Sequence, residues 1–192
     1  MPSISLLPVD APFRLADGRA LQFAPVTRAS RPLIERAMTE LSPLTSYRRF
    51  FTVRYRLSDG ELDELTNLDG VQRFAVGASV RDGPGARGVG VARWVRDRER
   101  PRVADLALLV VDAFQGFGVG TTLLARLAGA ALARGIDTFR GMVLIENQPM
   151  LRLLRALAPE MRLWRVDDYY EIEAPIAAGP LSSITLPSGS ST

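Results

Sequence analysis

The chain has 192 residues, of which 47% are hydrophobic and 23% charged, and these values are typical of one globular domain with a sizeable core. It contains no cysteine and no histidine, which excludes disulfides, thiolate metal sites, cysteine nucleophiles and imidazole bases. Its formal net charge is only +3, and its arginines are scattered without a long basic run. We therefore expect neither nucleic-acid binding nor a metal site.

The two ends of the chain are predicted to lie outside the folded domain. Residues 1–18 read as an irregular arm that ends in the turn pair Asp17-Gly18, and residues 177–192 as a flexible tail rich in Pro, Ser, Gly and Thr. No apolar run approaches the length of a membrane span, and the chain start lacks the basic region of a signal peptide. We therefore expect a cytoplasmic protein without membrane contact, with its domain at residues 19–176.

The first half of this domain combines strand patterns with three helix-start signals. Each signal is a serine that precedes a helical apolar pattern, and Ser58 forms a capping box with Glu61. Short turns between consecutive strands indicate an antiparallel meander. The predicted elements are a strand at 20–26, helices that begin after Ser30, Ser42 and Ser58, and strands at 72–80 and 88–95.

The centre of the chain is a strand, a glycine-rich turn and a helix. Residues 103–111 are apolar except for Asp105, as in a buried strand. The glycine-rich turn follows, and residues 119–134 then place leucines and alanines on one continuous helical face that Gly135 ends. This order aims free backbone N–H groups and the positive end of a helix at one point, and such a point binds phosphate.

The last part of the domain is predicted as a strand, a helix and a hairpin. The strand at 139–145 runs parallel to the central strand if the connection is a standard crossover. Asn147 caps the helix, and Pro149 stands early in it. The hairpin comprises residues 161–166 and 169–176.

The glycine turn must be compared with other glycine-rich motifs. A dinucleotide fingerprint requires G-x-G-x-x-G/A, which fails whether it starts at Gly116 or at Gly118. A P-loop requires a lysine, and the chain contains none. What remains is Q-x-x-G-x-G, with Gln115, Gly118 and Gly120 at the motif positions. The competing interpretation is a turn that serves only tight packing of the strand against the helix.

Between a strand and a helix, this pattern resembles the pyrophosphate loop of the GCN5-related N-acetyltransferases, the GNAT superfamily. Within it, the chain looks most like the bacterial Pat-type protein acetyltransferase domains. The resemblance implies an α/β (α+β) fold over residues 19–176, with a mixed, mostly antiparallel sheet, a central splayed parallel strand pair and flanking helices. The stretches that carry it are 41–43 with 47–51, 90–93, 115–121 and 146–151.

The resemblance implies an acyl-CoA-dependent N-acyltransferase with acetyl-CoA as donor and no metal. The acyl group would pass directly to an amine of a protein lysine or a small molecule, which agrees with the absence of cysteine and histidine nucleophiles. The alternative is a non-catalytic acyl-CoA-binding regulatory module on the same fold. A homodimer is left open.

The resemblance also implies where the acyl-CoA binds: the end of the central strand, the glycine loop and the start of the last helix. In many members a tyrosine seven residues after the Asn147 position protonates the leaving thiolate, but here that position is Leu154. Tyr47, Tyr169 and Tyr170 are the other candidate acids. The predicted cofactor residues are Leu109, Val110, Val111, Gln115, Gly116, Phe117, Gly118, Val119, Gly120, Thr121 and Asn147.

Asp105 is the candidate general base, since Pat-type domains usually carry a catalytic glutamate at this position. A carboxylate desolvated in an apolar strand is a better proton acceptor, and because aspartate is short we expect a bridging water. The competing interpretation is an ion pair with Arg93 or Arg102. Phe50 and Phe51 are predicted to lie in the core, with the neighbouring arginines solvated or lining the acceptor cleft.

Overall fold

The computed structural model describes residues 9–10, 13–15 and 17–176. The predicted tail at 177–192 lies outside these residues, as does most of the predicted arm. Within the arm, Phe13–Arg14 form a short strand, β1, that pairs with Leu21 and Ala20. This part is therefore not irregular, because its backbone hydrogen bonds are satisfied at the edge of the sheet.

The first half of the domain follows the predicted order of elements. Ser42 caps its helix by accepting a hydrogen bond from the Thr45 N–H, and Ser58 and Glu61 form the predicted capping box. The second helix ends where Phe51 adopts a left-handed conformation. The elements are β2 (Ala20–Pro25), α1 (Arg31–Thr39), α2 (Pro43–Phe50), α3 (Asp59–Thr66), β3 (Arg73–Asp82) and β4 (Gly85–Arg96).

The second half contains the elements that build the site. α4 is rich in leucine and alanine, and it buries most of its length against the sheet. No helix in the described part of the chain is long and apolar enough to cross a membrane. The elements are β5 (Val103–Val110), α4 (Val119–Leu132), β6 (Thr138–Leu144), α5 (Gln148–Leu157), β7 (Arg162–Val166) and β8 (Tyr169–Pro175).

The eight strands of the described residues form one sheet in the order β1-β2-β3-β4-β5-β6-β8-β7. Every neighbouring pair is antiparallel except β5 and β6, which are parallel and are connected through α4. The structure confirms the predicted fold class, a mixed and mostly antiparallel sheet flanked by helices and resembling the GNAT fold.

The parallel pair confirms the predicted splay. β5 and β6 are in register only at Val103↔Thr138, Ala104↔Phe139 and Asp105↔Arg140. Beyond Asp105 the two strands part, while β5 stays paired with β4 as far as Val110. Residues 106–110 are therefore half-buried and border an opening, which corrects the expectation of a fully buried strand.

The two faces of β5 look into different layers, because side chains alternate along a strand. Leu108 and Val110 point toward α4, where a Cβ at Gly120 would lie 3.6 Å and 3.7 Å from them. Gly90 of β4 lies on the same side, and a Cβ there would come within 2.9 Å of Leu123 Cδ1. The absent side chain thus lets α4 approach the sheet. Asp105 points to the opposite layer, toward α2.

Candidate active site

A cavity of about 1650 Å³ opens where β5 and β6 separate. Its walls come from β5, the glycine loop, α2, β6, the start of α5 and β8. It exceeds the roughly 300–1,000 Å³ of a typical small-molecule pocket. The space is therefore large enough for a long, extended ligand together with a second reactant.

At one end of the cavity, the glycine loop presents unused backbone donors. Gly116 and Gly118 have φ of +81° and +80°, a conformation that only glycine adopts without strain. Gly118 is the N-cap residue of α4, so the loop leads directly into the positive end of that helix. Within the described chain, none of the N–H groups of residues 116–121 has a hydrogen-bond acceptor. These groups lie where the sequence predicts a phosphate site.

Gln115 differs from the other members of the predicted series. Its N–H donates to the Asp112 carbonyl at 3.1 Å, so this donor is already used. Its side-chain Nε2 donates to the Val110 carbonyl at 2.9 Å and to Thr45 Oγ1 at 3.1 Å. Gln115 therefore fastens the loop to β5 and α2 rather than pointing at a phosphate.

The polar groups of β5 alternate between β4 and the opening. The Val111 N–H donates to the Val89 carbonyl at 2.9 Å, and the Val111 side chain is buried. Leu109, two residues earlier, belongs to the same hydrogen-bonded row and directs its polar groups toward β4. The backbone polar groups of Leu108 and the backbone N–H of Val110 face the opening instead, although both side chains point toward α4. The predicted stretch therefore borders the opening, but of its three residues only Val110 directs its N–H there.

The remaining predicted cofactor residues fall into two groups. Phe117 is exposed and lines the cavity, as does Thr121, whereas the Val119 side chain is buried in the core and contributes only its N–H. Asn147 lines the cavity and accepts a hydrogen bond from the Met150 N–H at 3.3 Å. Its predicted role as the N-cap of α5 is confirmed.

At the other end of the cavity, Asp105 is exposed rather than buried. Its side chain is 52% accessible, and Arg140 Nε and Nη2 donate to its two oxygens at 2.6 Å and 3.2 Å. The expected desolvation is therefore wrong, because Asp105 stands at the last paired position of β5 and β6 and its side chain borders the open cavity. The expected partners are wrong as well. Arg102 pairs with Asp137, and Arg93 makes no ion pair within the described residues.

Arg140 joins Asp105 to a second carboxylate. Its Nη1 lies 2.6 Å from Asp97 Oδ2, whose side chain is only 12% accessible. The hydrogen bond to Asp105 is the largest of the effects that raise the pKa of Arg140. The guanidinium is thus held as a fixed cation that orients the Asp105 carboxylate.

α2 contributes a third set of side chains to the same end. Arg48 and Arg49 line the cavity, in agreement with the prediction that arginines border the acceptor cleft. Phe50 packs against the core as expected. Phe51 does not, because it ends the helix with a left-handed turn and stays 38% exposed at the cavity wall.

Comparison with known proteins gives a consistent picture, although no protein-family model matches the chain. Acetyltransferase PA5475 of Pseudomonas aeruginosa is 28% identical over 143 residues, which cover 74% of this chain and 76% of that protein. Acetyltransferase Pat of Mycolicibacterium smegmatis is 27% identical over 152 residues, which cover 76% of this chain but only 42% of Pat. The GNAT domain of S. lividans PAT superposes with a TM-score of 0.75 at 28% identity, covering 86% of this chain and 96% of that domain.

In sequence and in fold, the chain is similar to acetyltransferases of the GNAT superfamily. These similarities place it close to the Pat-type domains and support an acyl-CoA-dependent N-acetyltransferase function.

The chain departs from many GNAT proteins in the side chain that is available to protonate the leaving thiolate. Leu154 is fully buried in the core, where a tyrosine would be needed to serve as the acid. Within the described chain, Tyr47, Tyr169 and Tyr170 are not part of the cavity wall. Tyr169 instead packs edge to face on Phe51. The tyrosines considered from the sequence are therefore not placed to protonate a thiolate.

Sequence reasoning missed Arg140, the residue that holds Asp105. Arg140 stands 35 positions away, and it meets Asp105 only through the register of β5 and β6. The pattern of residues along the chain does not specify that register. The exposed Met142 and Trp164 at the cavity wall were missed for the same reason.

Proposed function

We propose that residues 19–176 bind acetyl-CoA in the opening between β5 and β6 and transfer its acetyl group directly to an amine. One observation carries the proposal: the free N–H groups of residues 116–121 stand at the mouth of a gap between two strands. Backbone donors at a helix start suit a pyrophosphate. The unpaired edge of β5 suits the amide groups of an extended arm, which would take the place of the missing strand.

Several residues of the predicted set fit this placement. The N–H groups from Gly116 to Thr121 face the phosphates, and the Val110 N–H faces the pantetheine arm. Asn147 lies at the start of α5 on the far side of the gap. No lysine is needed, because backbone dipoles supply the positive potential.

Asp105 is the proposed acceptor of the proton that the amine must lose before it attacks. It lines the cavity and is open to solvent, so a water can bridge the short carboxylate to the amine. Arg140 occupies part of the carboxylate's acceptor capacity and fixes its orientation, while other lone pairs remain open to the cavity.

When bound, acetyl-CoA supplies an activated thioester whose carbon–sulfur bond is exchanged for a carbon–nitrogen bond to the amine. A thiol has an ordinary pKa of about 8.5, so a thiolate can depart near neutral pH and take its proton from water. This accounts for a site in which Leu154 stands where many GNAT members have a tyrosine that protonates the thiolate. The same replacement supports the second candidate, a regulator that binds acyl-CoA without turnover.

The test is thiol release from acetyl-CoA with a panel of amines, alongside calorimetry of acetyl-CoA binding. We expect binding and amine-dependent thiol release. Intact-mass analysis after incubation with acetyl-CoA alone should show no stoichiometric adduct, since the chain has neither cysteine nor histidine. Binding without release would favour the regulator. An acetylated side chain that passes its acetyl group to an amine would contradict direct transfer.

A further inference from the structure

Two arginines in the cavity wall have no counter-charge. Arg48 and Arg49 come from α2, and within the described residues neither forms an ion pair or donates a hydrogen bond. The Nε of Arg48 is buried without a partner. The other cavity arginines with nearby carboxylates are paired: Arg100 with Glu173 at 2.8 Å and Arg140 with Asp105 at 2.6 Å.

The surroundings of these arginines are positive. Burial lowers the pKa of Arg49 to about 10, and repulsion from Arg93 on β4 adds to that effect. Burial also lowers the pKa of Arg93, and Arg73 adds a further positive charge. Glu64 partly offsets the field at Arg93 but forms no ion pair with it. The Arg49 guanidinium lies 4.8 Å from the centre of the Phe50 ring, which offsets only part of the cost of burying its charge. A partly buried cationic cluster without a carboxylate partner is suited to bind an anion.

The cluster is displaced from the phosphate end of the cavity. Thr45 of α2 contacts Gln115 of the glycine loop, and Arg49 follows one helical turn later, about 6 Å along the axis. Arg93, its neighbour, stands opposite Ala107, which lies about 10 Å before Val110 along β5. Arg49 therefore lies on the Asp105 side of the glycine loop, beside the part of β5 where the reacting groups would meet.

We infer that Arg48 and Arg49 form a carboxylate-binding subsite, so that one of the two substrates carries a carboxylate close to its reacting atom. The inference rests on the proposed acyl transfer and names the substrate class. A guanidinium binds a carboxylate through paired, charge-assisted hydrogen bonds, and Arg48 and Arg49 have all their donors unused. The carboxylate can belong to a dicarboxylic acyl group on CoA or to an amino-acid acceptor.

Whether the acyl donor carries the carboxylate is tested by calorimetry with succinyl-CoA, which has a terminal carboxylate, and butyryl-CoA, which lacks it. We expect the wild type to bind succinyl-CoA about 10- to 100-fold more tightly. Arg49→Met should remove that preference, and Arg49→Lys should keep part of it. Arg152→Met, on the exposed face of α5, is the matched control and should behave as the wild type does.

Whether the amine acceptor carries the carboxylate is tested with amino acids, which have a carboxylate, and their amides, which lack it. Protein saturated with CoA is titrated with each compound, and turnover with acetyl-CoA is measured in parallel. If the acceptor carries the anion, the amino acid should bind about 10- to 100-fold more tightly than its amide. Arg49→Met should then raise KM for the amino acid far more than it lowers kcat.

Three results would overturn the inference. The first is the absence of a carboxylate preference in both arms, and the second is a preference that survives in Arg49→Met. The third is an equal loss of affinity for acetyl-, butyryl- and succinyl-CoA in Arg49→Met, which would assign the arginines to the phosphates of CoA. If acetyl-CoA neither binds nor turns over, the proposed function itself fails. Normal acetyl-CoA turnover without a carboxylate preference removes only the subsite.

Stability gives a second readout that does not depend on turnover. A structural arginine would lower the melting temperature when replaced, whereas an unpaired charge held for a ligand would not. We expect Arg49→Met to melt at the wild-type temperature or up to about 4 °C above it. A melting temperature several degrees below wild type would show that Arg49 serves the fold instead.

Discussion

The two ends of the cavity present different chemical groups, backbone donors at one end and charged side chains at the other. The glycine-loop end consists of backbone N–H groups from one contiguous segment, residues 116–121. The opposite end consists of charged side chains from several elements, including Arg49 of α2, Asp105 of β5 and Arg140 of β6. Backbone donors suit the part that all acyl-CoA donors share. Side chains define what differs between substrates, so specificity should change at that end without loss of cofactor binding.

The largest expected effect is at the side-chain end. Asp105→Asn keeps the shape of the residue but removes the proposed proton acceptor. A positioned general base contributes about 10²–10⁴-fold, so kcat/KM at neutral pH should fall by that range while acetyl-CoA affinity stays the same. The deficit should shrink at high pH, where more of the amine is already neutral. A pH–rate profile of both proteins gives the comparison.

Asp97→Asn is the matched control for this change. It removes the other carboxylate of Arg140 without altering the cavity wall, so it reports the structural cost of weakening the Arg140 cluster. We expect a lower melting temperature with nearly unchanged turnover per folded molecule. If Asp105→Asn behaves in the same way, Asp105 has no part in proton transfer.

At the glycine-loop end, acetyl-CoA affinity should depend on the charge of a substituted side chain more than on its shape. Gly118→Asp places a carboxylate at the N-cap of α4, next to the proposed phosphates, and both Asp and Asn tolerate the left-handed conformation found there. We expect acetyl-CoA affinity to fall by about 100-fold or more in Gly118→Asp, through repulsion between like charges. Gly118→Asn has the same shape without the charge and should lose much less. Equal losses, measured by calorimetry, would place the phosphates elsewhere.

The smallest expected effect concerns Asp112. This residue precedes the glycine loop and binds α2, the helix that carries Arg49, so it connects the two ends of the cavity. It accepts hydrogen bonds from the Ser42 N–H at 2.9 Å, Ser42 Oγ at 2.6 Å and Thr45 Oγ1 at 2.8 Å. Although burial opposes the shift, the bonds from Ser42 and Thr45 hold the pKa of Asp112 below its ordinary value. Asp112→Asn should lower the free energy of unfolding by about 1–3 kcal/mol at pH 7 and weaken acetyl-CoA binding.

The pH dependence of this effect has a definite sign. Because the pKa is lowered by folding, the stabilisation is complete above the ordinary value of about 3.9 and is lost as the pH falls below it. The difference between wild type and Asp112→Asn should therefore shrink below about pH 4 in urea denaturation. Asp69→Asn is the control, since Asp69 accepts backbone hydrogen bonds from Val71, Gln72 and Arg73 in a turn away from the cavity. It should lose stability but keep acetyl-CoA affinity, and a matching loss of affinity would contradict the connecting role.

The same contrast explains what the sequence could predict. The glycine loop depends on local requirements, since Gly116 and Gly118 need positive φ and α4 begins directly after them. The succession of elements, the splay and the cap at Asn147 follow from the family resemblance and from local signals, and the structure has them.

The side-chain end could be predicted only in part. Asp105 was placed in the right strand, but its exposure depends on how far β6 stays paired with β5. Its bond to Arg140 depends on their register, and the position of Phe51 depends on a left-handed helix end. These properties arise between elements, so a pattern read along one element does not specify them.

The short pairing of β5 and β6 has a mechanical consequence. Among the described residues, strand pairing between the two parts of the sheet runs only from Val103↔Thr138 to Asp105↔Arg140, at one end of β5. A rotation about that end would widen the gap in proportion to distance from it. Asp105 lies on the axis and would hardly move, whereas the glycine loop lies farthest from it. Any widening of the gap would therefore move the glycine loop more than the Asp105 carboxylate.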